Sequence, residues 1–468
     1  MKSFAIILFL SILLTGCRSG KAPVEPSPVV PSPVVPSPDQ VAYQEMEMVG
    51  FIHFTMNTFT DMEWGFGDED PVWFNPTGLD AEQWVLTAKA GGLKQLILTA
   101  KHHDGFCLWP SACTEHSIKA SPYKEGNGDI VMEFTDACRK HGLKVGLYLS
   151  PWDRNHKEYG NPEYITYYRN QLKELLTGYG EINEIWFDGA NGGDGYYDGA
   201  NCERWVDKRT YYDWPATFEL VKKLQPGIKI FSDAGPDIRW VGNEHGFAGE
   251  TFWSTISDEN LVIGESDPAY LNRGDPEGNK WIIGQCDVSI RPGWFYHASQ
   301  DSLVKSPQEL VDIYYKSVGR NGVLLLNLPP DRRGLIHEID VANLRTFREI
   351  IDETFDNDLA EGASLTIVDQ ETVPMEVLIE LGAPKSFDRI LIRESIEKGQ
   401  RISRFHVEAE GEPGEWIEIA RGTTIGYKRI LKTGLITASN LRLVIDSAYH
   451  PPSIEGFELY GSSSKEQL

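Results

Sequence analysis

Polar side chains with catalytic potential follow several segments of the sequence that are predicted to be buried strands. In the clearest case, residues 182–187, which include the apolar strand formers Ile182, Ile185 and Phe187, end at Asp188, and Gly189 then breaks the strand. Barrel enzymes of the α/β type carry their chemistry at the carboxyl ends of their strands, so we expect such side chains to share one site. The other polar residues in comparable positions are His53, His102, His103, Tyr148 and Asp233.

The residue types favour chemistry on a sugar. Glycoside hydrolysis uses a pair of carboxyl groups on either side of the scissile bond, and Asp188 is suited to be one of them. The chain also contains 13 Trp and 19 Tyr, whose flat rings pack against sugars. The spacing alone does not select the second carboxyl group. The downstream candidates are Asp233, Asp237, Glu244, Glu250 and Asp258.

A metal site is the alternative for three histidines at one barrel mouth. His102 and His103 are adjacent, and neighbouring residues on a strand point to opposite sides. The sequence has neither an HxH nor an HExxH spacing, so we predict no metal and no cofactor. Imidazole and indole groups that hydrogen-bond the hydroxyls of a neutral sugar fit better. A metal-dependent barrel hydrolase remains an alternative hypothesis.

The charge of the chain argues against polyanionic partners. Lys and Arg together number 44 against 69 Asp and Glu, which gives a net charge of −25. Such a chain repels nucleic acid and anionic membrane surfaces, so we expect neither to be a direct partner.

The N-terminus resembles a bacterial lipoprotein signal. Residues 1–17 combine Lys2, a short apolar run and a small-residue sequence that ends at Cys17, which we predict to be lipidated. Residues 18–42 are rich in Pro and Ser and predict an extended linker. A lipid at Cys17 would be the only membrane attachment, on the periplasmic side or the cell surface of a bacterial envelope.

The remaining chain predicts two domains. In residues 43–356, strand patterns alternate with helical patterns of 10–15 residues, which predicts a (β/α)8-like, TIM-type barrel. The pattern is irregular over residues 236–283, so the barrel need not be perfect there. Residues 357–468 carry eight short runs with period-2 alternation, which predict a β-sandwich.

Several ordered motifs closely resemble the α-L-fucosidases of glycoside hydrolase family 29. The resemblance extends over roughly residues 45–465. Its motifs are His53-Phe-Thr-Met-Asn57, Glu63-Trp-Gly65, Lys101-His-His-Asp-Gly-Phe106, Tyr148 with Ser150-Pro-Trp152, Trp186-Phe-Asp-Gly189, Arg239-Trp-Val-Gly-Asn-Glu244, Ser289-Ile-Arg-Pro-Gly-Trp-Phe-Tyr-His297 and Gly322-Val-Leu-Leu-Leu-Asn327.

The resemblance implies a retaining, exo-acting α-L-fucosidase that acts on fucosylated glycans by double displacement. It implies that Asp188 is the nucleophile. The motif that ends at Glu244 is similar to the branch that cleaves α-1,3/1,4-linked fucose, where this Glu is the general acid/base. The residues implied to line the fucose pocket are His53, Glu63, Trp64, His102, His103, Tyr148, Trp186, Arg239 and Trp294.

Some alternatives remain open from the sequence. Glu250 could replace Glu244 as the acid, and the linkage specificity could be broader and include α-1,2 bonds. The long segment of residues 191–212 is either an aglycone-contacting loop or simply a long loop. A non-catalytic sugar-binding surface protein is a further hypothesis, against which the pair of Asp188 and Glu244 argues.

Overall fold

Eight parallel strands close into a barrel in the computed structural model, which describes residues 33–368 and 373–467. The first twelve strands in chain order are β1 (Met48–Ile52), β2 (Gln95–Lys101), β3 (Lys144–Leu149), β4 (Glu184–Trp186), β5 (Gly193–Gly195), β6 (Cys202–Arg204), β7 (Lys229–Ser232), β8 (Ile238–Trp240), β9 (Thr255–Ile256), β10 (Lys280–Trp281), β11 (Ile283–Ser289) and β12 (Val323–Asn327). The barrel order is β1-β12-β11-β8-β7-β4-β3-β2. The predicted barrel is therefore confirmed.

Helices follow most of the barrel strands. Helix α1 (Pro38–Gln44) precedes β1, and the later helices are α2 (Met56–Thr60), α3 (Ala81–Ala90), α4 (Ile130–His141), α5 (Pro162–Gly178), α6 (Trp214–Leu224), α7 (Pro268–Arg273), α8 (Pro307–Lys316) and α9 (Glu338–Phe355). Local sequence sets their ends: the Asp80 side chain accepts hydrogen bonds from the first turn of α3, and Gly142 ends α4 with a left-handed backbone. In the part of the chain that the structure describes, we find no helix with the length and apolar character of a membrane span.

The irregular stretch predicted within the barrel contains β8, the sixth barrel strand in chain order. β8 is three residues long and follows β7 without an intervening helix. The antiparallel pair β9-β10 and the short helix α7 then precede β11. Because β8 is so short, its side chains show no periodicity that a sequence pattern can detect.

Helix α1 begins inside the segment predicted to be a linker. Ser37 caps α1, and Tyr43 near its end is buried and donates a hydrogen bond to Oε2 of Glu184 at 2.7 Å. Residues 38–42 are therefore helical rather than extended. The predictions for residues 1–32, including lipidation of Cys17, lie outside the described residues.

The C-terminal domain is an antiparallel sheet with its own apolar core. Its strands are β13 (Ser364–Val368), β14 (Met375–Glu394), β15 (Ile402–Glu410), β16 (Trp416–Gly422), β17 (Arg429–Ala448) and β18 (Ile454–Tyr460). The eight predicted runs form six strands, because β14 and β17 continue through register shifts that interrupt the period-2 pattern.

Candidate active site

A pocket of about 230 Å³ lies at the carboxyl ends of the barrel strands and gathers most of the predicted site residues. Of the predicted set, His53, Glu63, Trp64, His102, His103, Trp186, Asp188, Glu244 and Trp294 line it. The other lining residues are Phe51, Gly189, Ala190, Asp233, Trp240 and Asp287.

Asp188 lies two residues beyond the end of β4 and is held by two hydrogen-bond donors. The Tyr148 hydroxyl donates to Oδ2 at 3.0 Å, and the Ala190 backbone N–H donates to Oδ1 at 2.7 Å. Nε2 of His103 lies 3.9 Å from Oδ2. Burial raises the pKa of Asp188, while the two hydrogen bonds act in the opposite direction. Tyr148 therefore contributes to the site through the carboxyl group of Asp188.

Glu244 follows β8 and reaches the exposed rim of the same pocket. The indole Nε1 of Trp294 donates a hydrogen bond to its Oε2 at 3.2 Å. Although the residue as a whole is exposed, the pocket walls desolvate its carboxyl group and raise its pKa. The negative charge of Asp188 raises that pKa further.

The structure shows which of the five carboxyl groups proposed as partners of Asp188 lie in the pocket. Only Glu244 and Asp233 among them line the pocket. Asp237 pairs with Lys222 at 2.7 Å, and Asp258 lies in a separate surface cavity.

Glu250, the alternative acid, lies outside the pocket and pairs with Arg429 and Arg320. Partial burial would raise its pKa, but these two guanidinium groups lower it. A general acid needs the opposite shift, so the geometry favours Glu244.

Two further acidic residues, Asp233 and Asp287, line the pocket beside Asp188 and Glu244. Burial, followed by the charge of Asp188, raises the pKa of Asp233 to about 7. Asp287, which the sequence analysis missed, accepts a hydrogen bond from Trp240 Nε1 at 3.0 Å, and burial raises its pKa well above the usual range. The sequence feature that could have indicated Asp287 is its position as an acidic residue within the buried strand β11, where residues 285, 287 and 289 share one face.

The three histidines are buried and neutral. Burial lowers the pKa of each, to about 3 for His53 and His103 and well below the usual value for His102. With such lowered pKa values, none of them carries a positive charge at neutral pH. They can therefore offer the substrate one donor or one acceptor each.

The hydrogen-bond partners of Nδ1 fix which tautomer His102 and His103 adopt. The Asn57 amide donates to Nδ1 of His102 at 3.2 Å, because its oxygen already accepts from the Gly65 N–H, so Nε2 of His102 carries the proton. Ser150 donates its hydroxyl to a backbone carbonyl and accepts from Nδ1 of His103 at 2.7 Å. Nε2 of His103 is then an acceptor.

Aromatic rings form the walls of the pocket. The Trp186 indole stacks on Phe231 at 4.0 Å between ring centroids and donates from Nε1 to Gln285 at 2.9 Å. Trp64 is half exposed and stands perpendicular to the His103 ring at 5.2 Å. Phe231 and Tyr148 both stack on Trp186, so the half-exposed Trp64 offers the flat surface that suits the apolar face of a sugar ring.

Arg239 does not line the pocket, so that prediction is wrong. Its guanidinium is fully buried and donates to backbone carbonyls, including that of Trp253 at 2.7 Å. Burial lowers its pKa to about 10. Adjacent residues of a strand point to opposite sides, so the next residue, Trp240, faces the pocket instead.

The long segment of residues 191–212 contains the β5-β6 hairpin. Arg154 anchors this hairpin through a hydrogen bond to the Asp194 backbone and an ion pair of 2.8 Å with the Asp194 side chain.

Residues 33–368 and 373–467 contain no group of three or more His, Cys, Asp or Glu side chains arranged to hold a metal ion.

Comparisons with known proteins agree with this geometry. The alpha-L-fucosidase family model matches residues 38–350. Alpha-L-fucosidase 1 of Arabidopsis thaliana is 44% identical over 450 residues, which cover 90% of this chain and 86% of the plant protein.

Solved structures show the same similarity. A glycoside hydrolase 29 family member from an unknown rumen bacterium superimposes with a TM-score of 0.88 at 46% identity, over 93% of this chain and 78% of that one. A Ruminococcus gnavus family 29 fucosidase, solved in complex with fucose, superimposes with a TM-score of 0.82 at 33% identity, over 96% of this chain and 98% of that one.

Proposed function

The chain belongs to the α-L-fucosidase family, glycoside hydrolase family 29, and is a glycoside hydrolase of α-L-fucosidase activity; from this premise we propose a retaining, exo-acting enzyme that removes terminal α-1,3/1,4-linked L-fucose from glycans. The observation that carries the proposal is the presence of Asp188 and Glu244 in one pocket, whereas Glu250 lies outside it in ion pairs with Arg429 and Arg320. Family membership also decides against a non-catalytic lectin and a metal-dependent amidohydrolase.

In the proposed first step, Asp188 attacks the anomeric carbon of fucose. The bond from that carbon to the leaving oxygen breaks as Glu244 gives its proton to this oxygen. The two donors on Asp188, Tyr148 and the Ala190 N–H, stabilise its carboxylate form.

In the second step, Glu244, now ionised, takes a proton from water, and the water oxygen displaces the Asp188 carboxylate from the anomeric carbon. The raised pKa of Glu244 supports both steps, because its carboxyl group must be protonated in the first step and deprotonated in the second.

We propose that the fucose ring lies against Trp64 and that the neutral histidines bind its hydroxyls. His102 presents a donor at Nε2, and His103 presents an acceptor. This pairing of one donor and one acceptor suits hydroxyl groups, which can both give and receive a hydrogen bond.

The linkage preference rests on residues 239–244, whose sequence resembles the α-1,3/1,4-specific branch. The test is a digestion panel with Lewis-type trisaccharides, 2'-fucosyllactose and a nitrophenyl fucoside, with Asp188→Ala as the inactive control. We expect the Lewis-type trisaccharides to be cleaved faster than 2'-fucosyllactose. The reverse order would contradict the proposed preference, and comparable rates on both would favour the alternative, a fucosidase of broader specificity that includes α-1,2 bonds.

We also propose that lipid at Cys17 anchors the protein to a bacterial envelope. The support is the sequence that ends at Cys17 and the Pro/Ser-rich segment after it. The variant Cys17→Ser should move the protein from membrane fractions to the soluble pool or leave an unprocessed precursor. Unchanged membrane association of the variant would contradict the proposal.

A further inference from the structure

His297 lies between two carboxyl groups at the edge of the pocket. Its Nδ1 is 2.8 Å from Oδ1 of Asp61, and its Nε2 is 2.7 Å from Oε1 of Glu63. Asp61 is the residue after helix α2 and is largely exposed, whereas Glu63 lines the pocket. The three side chains form a continuous array from the protein surface to the substrate site.

This arrangement requires a protonated imidazole. An ionised carboxylate only accepts hydrogen bonds, so a neutral histidine would leave one ring nitrogen lone pair facing a carboxylate oxygen. The imidazolium form places an N–H on both sides. Burial alone would lower the pKa of His297, but the hydrogen bonds to Asp61 and Glu63 outweigh it and raise the pKa.

His297 fixes one oxygen of Glu63, and the protein backbone fixes the other. The Trp294 backbone N–H donates to Oε2 of Glu63 at 2.9 Å. With a donor on each oxygen, the carboxylate has one orientation, and its remaining lone pairs are available to hydroxyl donors in the pocket.

We propose that Asp61 and His297 form a positioning relay that holds the Glu63 carboxylate in place to accept a hydrogen bond from a fucose hydroxyl. His297 is thus a positioning residue for substrate binding and takes no part in bond cleavage. The proposal rests on the proposed function, because it takes the pocket to be the fucose site. It adds a residue outside the pocket lining to those that determine affinity.

The relay makes sugar binding depend on pH. As pH rises through the pKa of His297, the imidazolium loses a proton, and Glu63 loses a charged donor. KM should therefore rise on the alkaline side. Asp61 and Glu63 are the charged groups in contact with His297. The surface cavity beside Asp61 also brings charged side chains to this side of the barrel, namely Asp331, Arg332, Arg333, His337 and Glu338.

The first test compares His297→Gln with wild type on a nitrophenyl fucoside over a pH series. We expect KM to rise about tenfold, as for loss of one hydrogen bond to a charged group, with kcat within about twofold of wild type. The alkaline rise of KM should disappear, because Gln does not titrate. The control is His337→Gln, which changes a nearby histidine that does not contact Glu63 and should leave KM unchanged. Wild-type KM values with the same pH dependence in His297→Gln would overturn the proposal.

A second measurement does not depend on turnover or on the stability of that variant. The imidazole nitrogen resonances of His297 are titrated by NMR in the free wild-type protein and in Asp61→Asn. We expect a raised pKa in the wild type that falls in Asp61→Asn, together with weaker fucose binding by calorimetry. An unperturbed His297 pKa in both proteins would refute the relay. Failure of the wild type to cleave any fucoside would instead refute the proposed function and leave this titration unaffected.

Discussion

The indole Nε1 of Trp294 donates a hydrogen bond to Oε2 of Glu244 at 3.2 Å. The same residue holds Glu63 through its backbone N–H. One tryptophan therefore links the group proposed as acid/base to the group proposed to bind the sugar. Its indole can be changed without removing the backbone contact, which separates the two roles experimentally.

The variant Trp294→Phe should shift the alkaline limb of the pH profile of kcat/KM to higher pH. The indole N–H stabilises the carboxylate form of Glu244 and so lowers its pKa against the raising effect of burial. Without this donor the pKa rises, and the acid stays protonated to higher pH. The control is Trp416→Phe in β16 of the C-terminal domain. An alkaline limb that stays in place or moves to lower pH would show that Trp294 does not tune Glu244.

Asp233 approaches Gly189, the residue after the proposed nucleophile, so closely that the position requires glycine. A Cβ added at Gly189 would overlap Oδ2 of Asp233. We expect Gly189→Ala to displace one of the two carboxyl groups, to cost about 1–3 kcal/mol of stability and to lower kcat about 100-fold.

The matched control is Gly178→Ala at the end of α5, where an added Cβ meets nothing within 4 Å. Thermal denaturation and steady-state kinetics measure both effects, and that control should be active and at least as stable as wild type. Full activity in Gly189→Ala would show that the backbone here adjusts freely and that the tight contact has no role.

The buried ion pair of Arg291 with Asp340 fixes the segment that carries Trp294. Both contacts of the guanidinium with the carboxylate are 2.8 Å, and both side chains are inaccessible to solvent. Asp340→Ala leaves the buried Arg291 paired only with the partly exposed Asp301 at 2.8 Å. The free energy of unfolding should therefore fall by about 3 kcal/mol, measured by denaturant titration.

The comparison variant is Asp312→Ala, which removes an exposed pair with Lys316 and should change stability by less than about 1 kcal/mol. Equal losses in the two variants would contradict a special role for the buried pair.

Loss of Glu244 should affect substrates according to their leaving groups. In Glu244→Ala, release of fucose from a natural glycan should fall about 10²–10⁴-fold, because a sugar alkoxide leaves poorly without a proton. The glycosylation step with a nitrophenyl fucoside should fall much less, because a nitrophenolate needs little protonation. Single-turnover kinetics with both substrates measure the difference. Equal losses would argue that Glu244 is not the acid.

The barrel was predictable because its longer strands and helices show clear periodicity. Asp188 was predictable because it follows an apolar run at a strand end. The sequence was insufficient where side-chain direction decides the role. Arg239 lies in a family-like motif but points away from the pocket, while Asp287 faces it from within a buried strand. The contacts of His297 with Asp61 and Glu63 span more than 230 positions along the chain, so no local pattern reveals them.

The anomeric configuration of the fucosyl azides formed by two variants tests the central claim most directly. In Glu244→Ala, azide should displace the Asp188 carboxylate from the fucosyl-enzyme, restore turnover of a nitrophenyl fucoside and give α-L-fucosyl azide. In Asp188→Gly, azide should replace the missing nucleophile and give β-L-fucosyl azide. NMR of the products distinguishes these anomers. Opposite anomers, α from Glu244→Ala and β from Asp188→Gly, are the result that the assignment of nucleophile and acid/base predicts. The same anomer from both variants, or no azide product from Glu244→Ala, would contradict it.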